Sequence, residues 1–260
     1  MPSVTLTRSL RDEYRRLFDG IMYTAPAVGI TSDATRLHEN RERYVPCAVD
    51  YGVPWLFLGL VHLMESSCQF TVHLHNGDPL KARTVHVPAG RPRKGTPPFL
   101  WEYSAADALS LFPYFVGDSD SLSLAHVLYW LECWNGLGYR TRHPEVLSPY
   151  LWAGSQHYTS GKYGSDGVWN PRLVSKQIGA AVVMRRYFEV YPLEVPVWAG
   201  GGAISPWRYG DEGTAVVALQ NSLNAQPGIY LHVDGKAGQR TSDAFKVVMG
   251  EYLPGDPREA

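Results

Sequence analysis

Cysteine is scarce in this 260-residue chain: Cys47, Cys68 and Cys133 form an odd set without CxxC spacing. That pattern argues against a disulfide framework and against a cysteine zinc site, and leaves small core packing as the simplest use of Cys68 and Cys133. Neither sign of charge prevails, with 24 Lys and Arg against 25 Asp and Glu, so there is no electrostatic case for nucleic acid. No apolar run approaches the roughly 18–20 residues that a membrane span needs. The opening residues lack the apolar stretch of a signal peptide, and residues 9–17 read instead as an amphipathic helix. Synthesis in the cytoplasm is therefore expected. What the chain does have is 45% apolar and 19% charged residues, enough to bury a core and too apolar for global disorder. Its length fits one medium domain, or a medium domain with a small appendage. Eight Trp and sixteen Tyr supply many flat faces of the kind that suit sugar rings.

The hydrophobic period predicts an α+β, mainly helical fold. Helices are expected near 7–22, 34–51, 54–66, 103–112, 120–133 and 172–189, the last with Pro171 near its start and a stripe through Val174, Ile178, Ala181, Val182 and Met184. Between Glu65 and Trp101 the period changes. Phe70-Thr71-Val72-His73-Leu74-His75 and Arg83-Thr84-Val85-His86-Val87 both alternate, with Asn76-Gly77-Asp78-Pro79 as turn chemistry between them. This predicts a β-hairpin whose polar face carries Thr71, His73, His75, Thr84 and His86. A positively charged Pro/Gly loop follows Ala89; it reads either as a solvated loop or as a contact for acidic groups of a substrate.

A second Pro/Gly-rich stretch, residues 193–208, reads as a linker. It divides a region 1–192 from a tail 209–260, which is small for an independent domain. In the tail, Gly210-Asp211-Glu212-Gly213 opens a helix carrying Val216, Val217, Leu219 and Leu223. Val233-Asp234-Gly235-Lys236-Ala237-Gly238, Thr241 and Ala244-Phe245 follow. These residues resemble the three-helix peptidoglycan-binding module found on many cell-wall hydrolases. The alternative is a small packing module with no ligand.

The chemistry centres on Glu65, which ends the apolar segment Trp55-Leu56-Phe57-Leu58-Gly59-Leu60-Val61. A carboxylate there is partly desolvated, which raises its pKa and suits it to proton donation; a helix-end carboxylate paired with an arginine is the plainer reading. The order of helix, glutamate and hairpin, and the run Glu65-Ser66-Ser67, resemble the lysozyme-like superfamily of goose-type lysozymes, lytic transglycosylases and phage lysozymes. Asp78 follows with twelve residues between and Thr84 with five more between, an order similar to the Glu…Asp…Thr triad of phage-type lysozymes. The resemblance implies a muramidase of endolysin type, cleaving the N-acetylmuramic acid–N-acetylglucosamine backbone of bacterial peptidoglycan. Glu65 is then the general acid, and Asp78 and Thr84 hold the attacking water. It further implies cleft-lining roles for His73, His75, Asn135, Tyr139, Tyr150, Trp152, His157 and Tyr158, no cofactor, a monomer, and action at the wall after release or dedicated export. A turn role for Asp78 is equally open.

Three rivals remain. Lytic transglycosylation would use Glu65 alone. A zinc-dependent amidase or peptidase would use His62, His73, His75 and His86, although none of their spacings is a strong zinc motif such as HExxH. A non-catalytic wall-binding protein would need no acid at all.

Overall fold

The computed structural model describes residues 4–112, 122–164, 167–199, 207–249 and 251–258. It is mainly helical with one small antiparallel sheet, and it divides into two compact units, Met1–Met184 and Arg185–Ala260. No helix among the described residues is long and apolar enough to cross a membrane.

In the first unit, α1 (Arg8–Asp19) starts at Thr7, whose hydroxyl accepts the Leu10 N–H at 3.2 Å. It buries Leu10, Tyr14 and Phe18, spaced four apart on one face. The stretch expected as one helix over 34–51 is two, α2 (Ala27–Glu39) and α3 (Arg41–Val49), broken at Asn40. Helix α4 (Trp55–Ser66) is apolar around its whole circumference and is buried continuously from Leu56 to Met64, as befits a central helix. It packs against α2, α3 and α6 (Leu124–Asn135). Gly59 permits this: a Cβ there would sit 3.2 Å from both the Leu37 side chain and the Tyr44 ring. Helix α5 (Trp101–Ser110) touches α3, and α6 packs on α1. The N-terminal end of the helix expected over 120–133 lies partly outside the described residues. Short helices α7 (Gly138–Arg142) and α8 (Pro149–Trp152) follow.

The helix expected from 172 begins only at Ala180, as α9 (Ala180–Val190). Gly179 explains the delay. Its N–H donates to the Ala153 carbonyl at 2.8 Å, and a Cβ would lie 2.3 Å from the Leu151 carbonyl oxygen. Two backbones cross at that point, so the preceding segment runs extended.

The hairpin expected over 70–87 does not form. The segment makes one isolated bridge, Val72 with Pro79, and the only sheet among the described residues pairs β1 (Lys162–Tyr163) with β2 (Trp169–Asn170). Side chains have taken the backbone donors that a ladder would use. The Asp78 carboxylate accepts the N–H groups of Val85 and His86 at 2.7 and 3.0 Å. Thr84 accepts the Arg91 N–H at 2.9 Å and donates to the Pro88 carbonyl at 2.6 Å. The expected polar face is lost with it: His73 and Thr84 are buried, whereas His86 stays exposed.

In the second unit, Trp207, Val216, Leu219, Leu223, Ile229, Ala237, Phe245 and Leu253 form a core between α10 (Thr214–Asn224) and α11 (Gln239–Met249). These two are the helices described within 209–260, where three were expected. Trp207 draws the end of the expected linker into this core, and 192–194 and 197–199 are 3-10 turns.

Candidate active site

Glu65 lies in the last turn of α4. The helix stops there because Ser67 and Cys68 both adopt left-handed backbone, at φ 53 and 59. Their N–H groups return to the carbonyls of Leu63 and His62, at 2.9 and 3.2 Å. Two consecutive non-glycine residues in that region are costly, and such strain gathers where geometry matters. Gln177 ties the extended segment before α9 to the same helix end, its side-chain amide donating to the Met64 carbonyl at 2.7 Å.

Two aromatic donors hold the carboxylate. The Tyr150 hydroxyl donates to Glu65 Oε1 at 3.0 Å, and the Trp134 indole is a second partner. Tyr150 is buried on α8. Trp134 sits near the end of α6, its ring edge-on to Phe57 at 6.2 Å and tilted over Phe112 at 5.1 Å. Water reaches the Glu65 side chain, yet the protein around it strips enough hydration to raise the carboxyl above its ordinary range. The bonds from Tyr150 and Trp134 pull in the opposite direction. The negative end of the α4 dipole adds to the upward push. An accessible carboxyl with raised proton affinity and fixed orientation is what a proton donor requires. No arginine or lysine pairs with Glu65 among the described ion pairs, so the plainer reading of a helix-end ion pair finds no support.

Trp134 also forms a wall of a cavity of about 190 Å³, together with His75, Pro88, Ala108, Leu111 and Phe112. Trp134 is thus shared between the acid and a small, mostly apolar recess.

The other expected site residues lie in the framework. Asp78 accepts three bonds within its own loop, two from backbone and one from His86 Nδ1 at 2.6 Å. Those bonds, led by the His86 N–H, hold its carboxyl down at about 2. Thr84 is spent on the same loop. His73 donates through Nε2 to the Ala82 carbonyl at 2.8 Å and accepts from the Ser104 hydroxyl at 2.7 Å. His75 donates to Asp107 at 2.8 Å, and Arg91 reaches the same Asp107 oxygen at 2.8 Å. Burial, the larger effect, holds His75 below its ordinary value. These contacts fasten the 70–99 loop to α5.

Asn135 is exposed at the end of α6, before Gly136 at φ 88. Tyr139 is buried on α7, edge-on to Tyr163 at 5.5 Å and to Trp169 at 5.8 Å. Trp152 is buried and meets His157 edge-on at 5.5 Å, while His157 donates to the Leu17 carbonyl at 2.8 Å. The Tyr158 hydroxyl accepts the Ser175 N–H at 3.1 Å and donates to the Gly161 carbonyl at 3.2 Å. Of the residues expected to line a cleft, Tyr150 is the one in contact with Glu65.

The helix end Trp134-Asn135-Gly136 was expected to line the cleft, and Trp134 is its member that meets Glu65. Gln177 gave no signal in the sequence. The four histidines of the metal reading each hold another partner: Tyr44 and the Gln69 carbonyl for His62, Ser104 and Ala82 for His73, Asp107 for His75, Asp78 for His86. Among the described residues no group of three or more His, Cys, Asp or Glu is placed to hold a metal ion. No protein family, curated protein or solved structure gives a match to this chain.

Proposed function

We propose that the first unit cleaves the glycan backbone of bacterial peptidoglycan in the manner of a lysozyme-like muramidase, with Glu65 as general acid. The observation that carries this reading is a water-reached carboxyl with raised proton affinity, held by two aromatic donors at the end of the central helix. Breaking a glycosidic bond requires a proton on the departing oxygen as the C1–O bond opens. Glu65 supplies it. The ring of Trp134, and the recess it helps to wall, offer apolar surface to a sugar.

The reaction that fits best needs one carboxylate. With Asp78 and Thr84 engaged inside their loop, the sugar's own C6 hydroxyl is the nucleophile: it bonds to C1, its proton passes to the Glu65 carboxylate, and a 1,6-anhydro end results. Hydrolysis is the second reading, favoured by the order Glu65, Asp78, Thr84 along the chain. For the second unit we propose attachment to the wall. Support comes from the motif residues Asp234, Gly235 and Thr241, which are all bonded to the buried side chain of Gln220.

Glu65→Gln keeps the shape and removes the proton. It should lower wall solubilisation by roughly 10²–10⁴-fold with the fold intact. Mass spectrometry of digested peptidoglycan then separates the two reactions, since anhydro ends are lighter by one water than reducing ends. Residual lysis above a few per cent of the native rate at equal folded protein would remove Glu65 from the role.

A further inference from the structure

The second unit holds a groove of about 720 Å³, within the range of sites that take small molecules and short peptides, roughly 300–1,000 Å³. Its wall is built on Gln220, which is buried. The side-chain amide donates to Asp234 Oδ1, the Lys236 carbonyl and Thr241 Oγ1 at 2.8, 3.1 and 3.2 Å. Its carbonyl oxygen accepts the N–H groups of Asp234 and Gly235 at 3.1 and 2.9 Å. Five bonds on one side chain fix the 234–241 segment, so the groove is formed before any ligand arrives. Preorganisation of this kind removes part of the ordering cost of binding.

The charges around the groove are unequally committed. Asp234 accepts from Gln220 and from the Lys236 N–H at 2.9 Å. Asp243 pairs with Arg258 at 2.7 Å. The cations are freer. Among the described residues Lys236 pairs with Glu212 alone, at 4.0 Å with both ends largely exposed, which is worth little. Arg240 has no ion pair among the described residues. Leu231 gives the groove an apolar contact, and no Trp, Tyr or Phe is among its named lining residues.

We infer that this groove binds the free carboxylate end of a short peptide, with Arg240 and Lys236 on the carboxylate and Leu231 against a small apolar side chain. A neutral sugar chain would leave both cations unused and would find no aromatic face to stack on. A polyphosphate would meet Asp234 and Asp243 in the same lining, whereas a single carboxylate matches the guanidinium fork. The inference rests on the wall-directed reading only for the source of the peptide, which is then the stem peptide of peptidoglycan.

The test uses the full chain carrying Glu65→Gln, so that no glycan is consumed. It is titrated with a synthetic tetrapeptide ending in D-alanine, with the same peptide as its C-terminal carboxamide, with an N-acetylglucosamine tetramer and with a glycerol phosphate oligomer, while amide resonances of residues 231–243 are followed. The free acid should shift them and bind about tenfold more tightly than the carboxamide, the scale of one charge-assisted contact. Adding Lys236→Gln and Arg240→Gln should abolish that preference. Both positions are exposed, so unchanged signals from Leu219 and Phe245 will report an intact core. Equal binding of acid and carboxamide, shifts caused by the sugar or phosphate probe instead, or no shift at millimolar peptide would each overturn the inference. Glycan cleavage by the native chain, assayed in parallel on peptide-free glycan, keeps the two readings apart. Cleavage without peptide binding overturns the groove alone; peptide binding without cleavage upholds the groove and overturns the glycan reading.

Discussion

Replacing Tyr150 by Phe removes one oxygen and leaves the ring that fills the space on α8. The lost contact is the 3.0 Å bond to Glu65 Oε1, and it favours the ionised form of the acid. A hydrogen bond to a charged group is worth roughly 1.5–3 kcal/mol, and each pKa unit corresponds to about 1.36 kcal/mol. Unscreened, the change would be about one to two units. Water reaches Glu65 and the Trp134 indole remains, so screening brings the expected shift to about one unit. The sign follows from the partner: without Tyr150 the carboxylate is less stable, and the Glu65 pKa rises further.

A general acid must carry its proton when substrate arrives, so the alkaline limb of the activity profile reports that pKa. In Tyr150→Phe this limb should move up by about one pH unit, with the acid limb unmoved. The maximal rate should fall, because the carboxyl is now oriented by one donor instead of two. The assay is release of soluble glycan across about pH 4–9 at equal folded protein, with thermal melts at each pH to exclude unfolding. An alkaline limb that stays in place, or moves down, would refute the assignment of Glu65 as the titrating acid held by Tyr150.

Further outcomes follow from the same contacts. Glu65→Gln should melt higher than the native chain at about pH 8 and equally at about pH 4. A carboxyl whose folded pKa is raised penalises the fold once ionised, and the penalty vanishes below the unfolded value of about 4.3. Asp78→Asn should loosen the 78–91 loop at a cost of about 1 kcal/mol, because its His86 partner is exposed and solvent screens that pair. Asp78 titrates near 2, so its contribution is full above its unfolded value of about 3.9 and lost as pH falls toward 2, readable as a narrowing gap between mutant and native melts. Gly179→Ala places a Cβ against the Leu151 carbonyl and should cost about 3 kcal/mol or more, seen as a large drop in melting temperature or as insoluble protein. Gln220→Ala orphans the N–H groups of Asp234 and Gly235 and should cost about 2–3 kcal/mol, measured by proteolysis of the second unit.

The helices that were legible in the sequence are those whose faces are set by local spacing. The Leu10–Tyr14–Phe18 stripe and the apolar run ending at Glu65 needed only neighbours three to eight residues away. The 70–87 segment misled for a definable reason. Its alternation of Thr71, His73 and His75 with apolar residues is also what a half-buried strand shows, and period alone does not reveal whether polar side chains meet water or the protein. Here His73 and His75 meet Ser104 and Asp107, 31 and 32 residues away. Partners at that separation leave no trace in a window of ten residues. The delayed start of α9 is a similar case, since it is set by a backbone crossing at Leu151 that only the fold brings to Gly179.

The same distinction separates the parts of the site. Glu65 announced itself because an acid at the end of a wholly apolar helix is locally anomalous. Tyr150, 85 residues further on, was expected at the cleft only through the resemblance and not as a donor to Glu65, and Gln177, which meets Met64 across 113 residues, was not expected at all. Asp78 and Thr84 show the opposite hazard, in which correct order along the chain stands in for geometry. An aspartate after Asn-Gly is well suited to gather backbone N–H groups, and it has gathered two together with a histidine, leaving it as an anion near pH 7 inside its own loop. A residue spent in that way shapes its own loop. Under the proposed function the reaction would turn on a single carboxyl that gives a proton and takes one back, its raised proton affinity serving both steps.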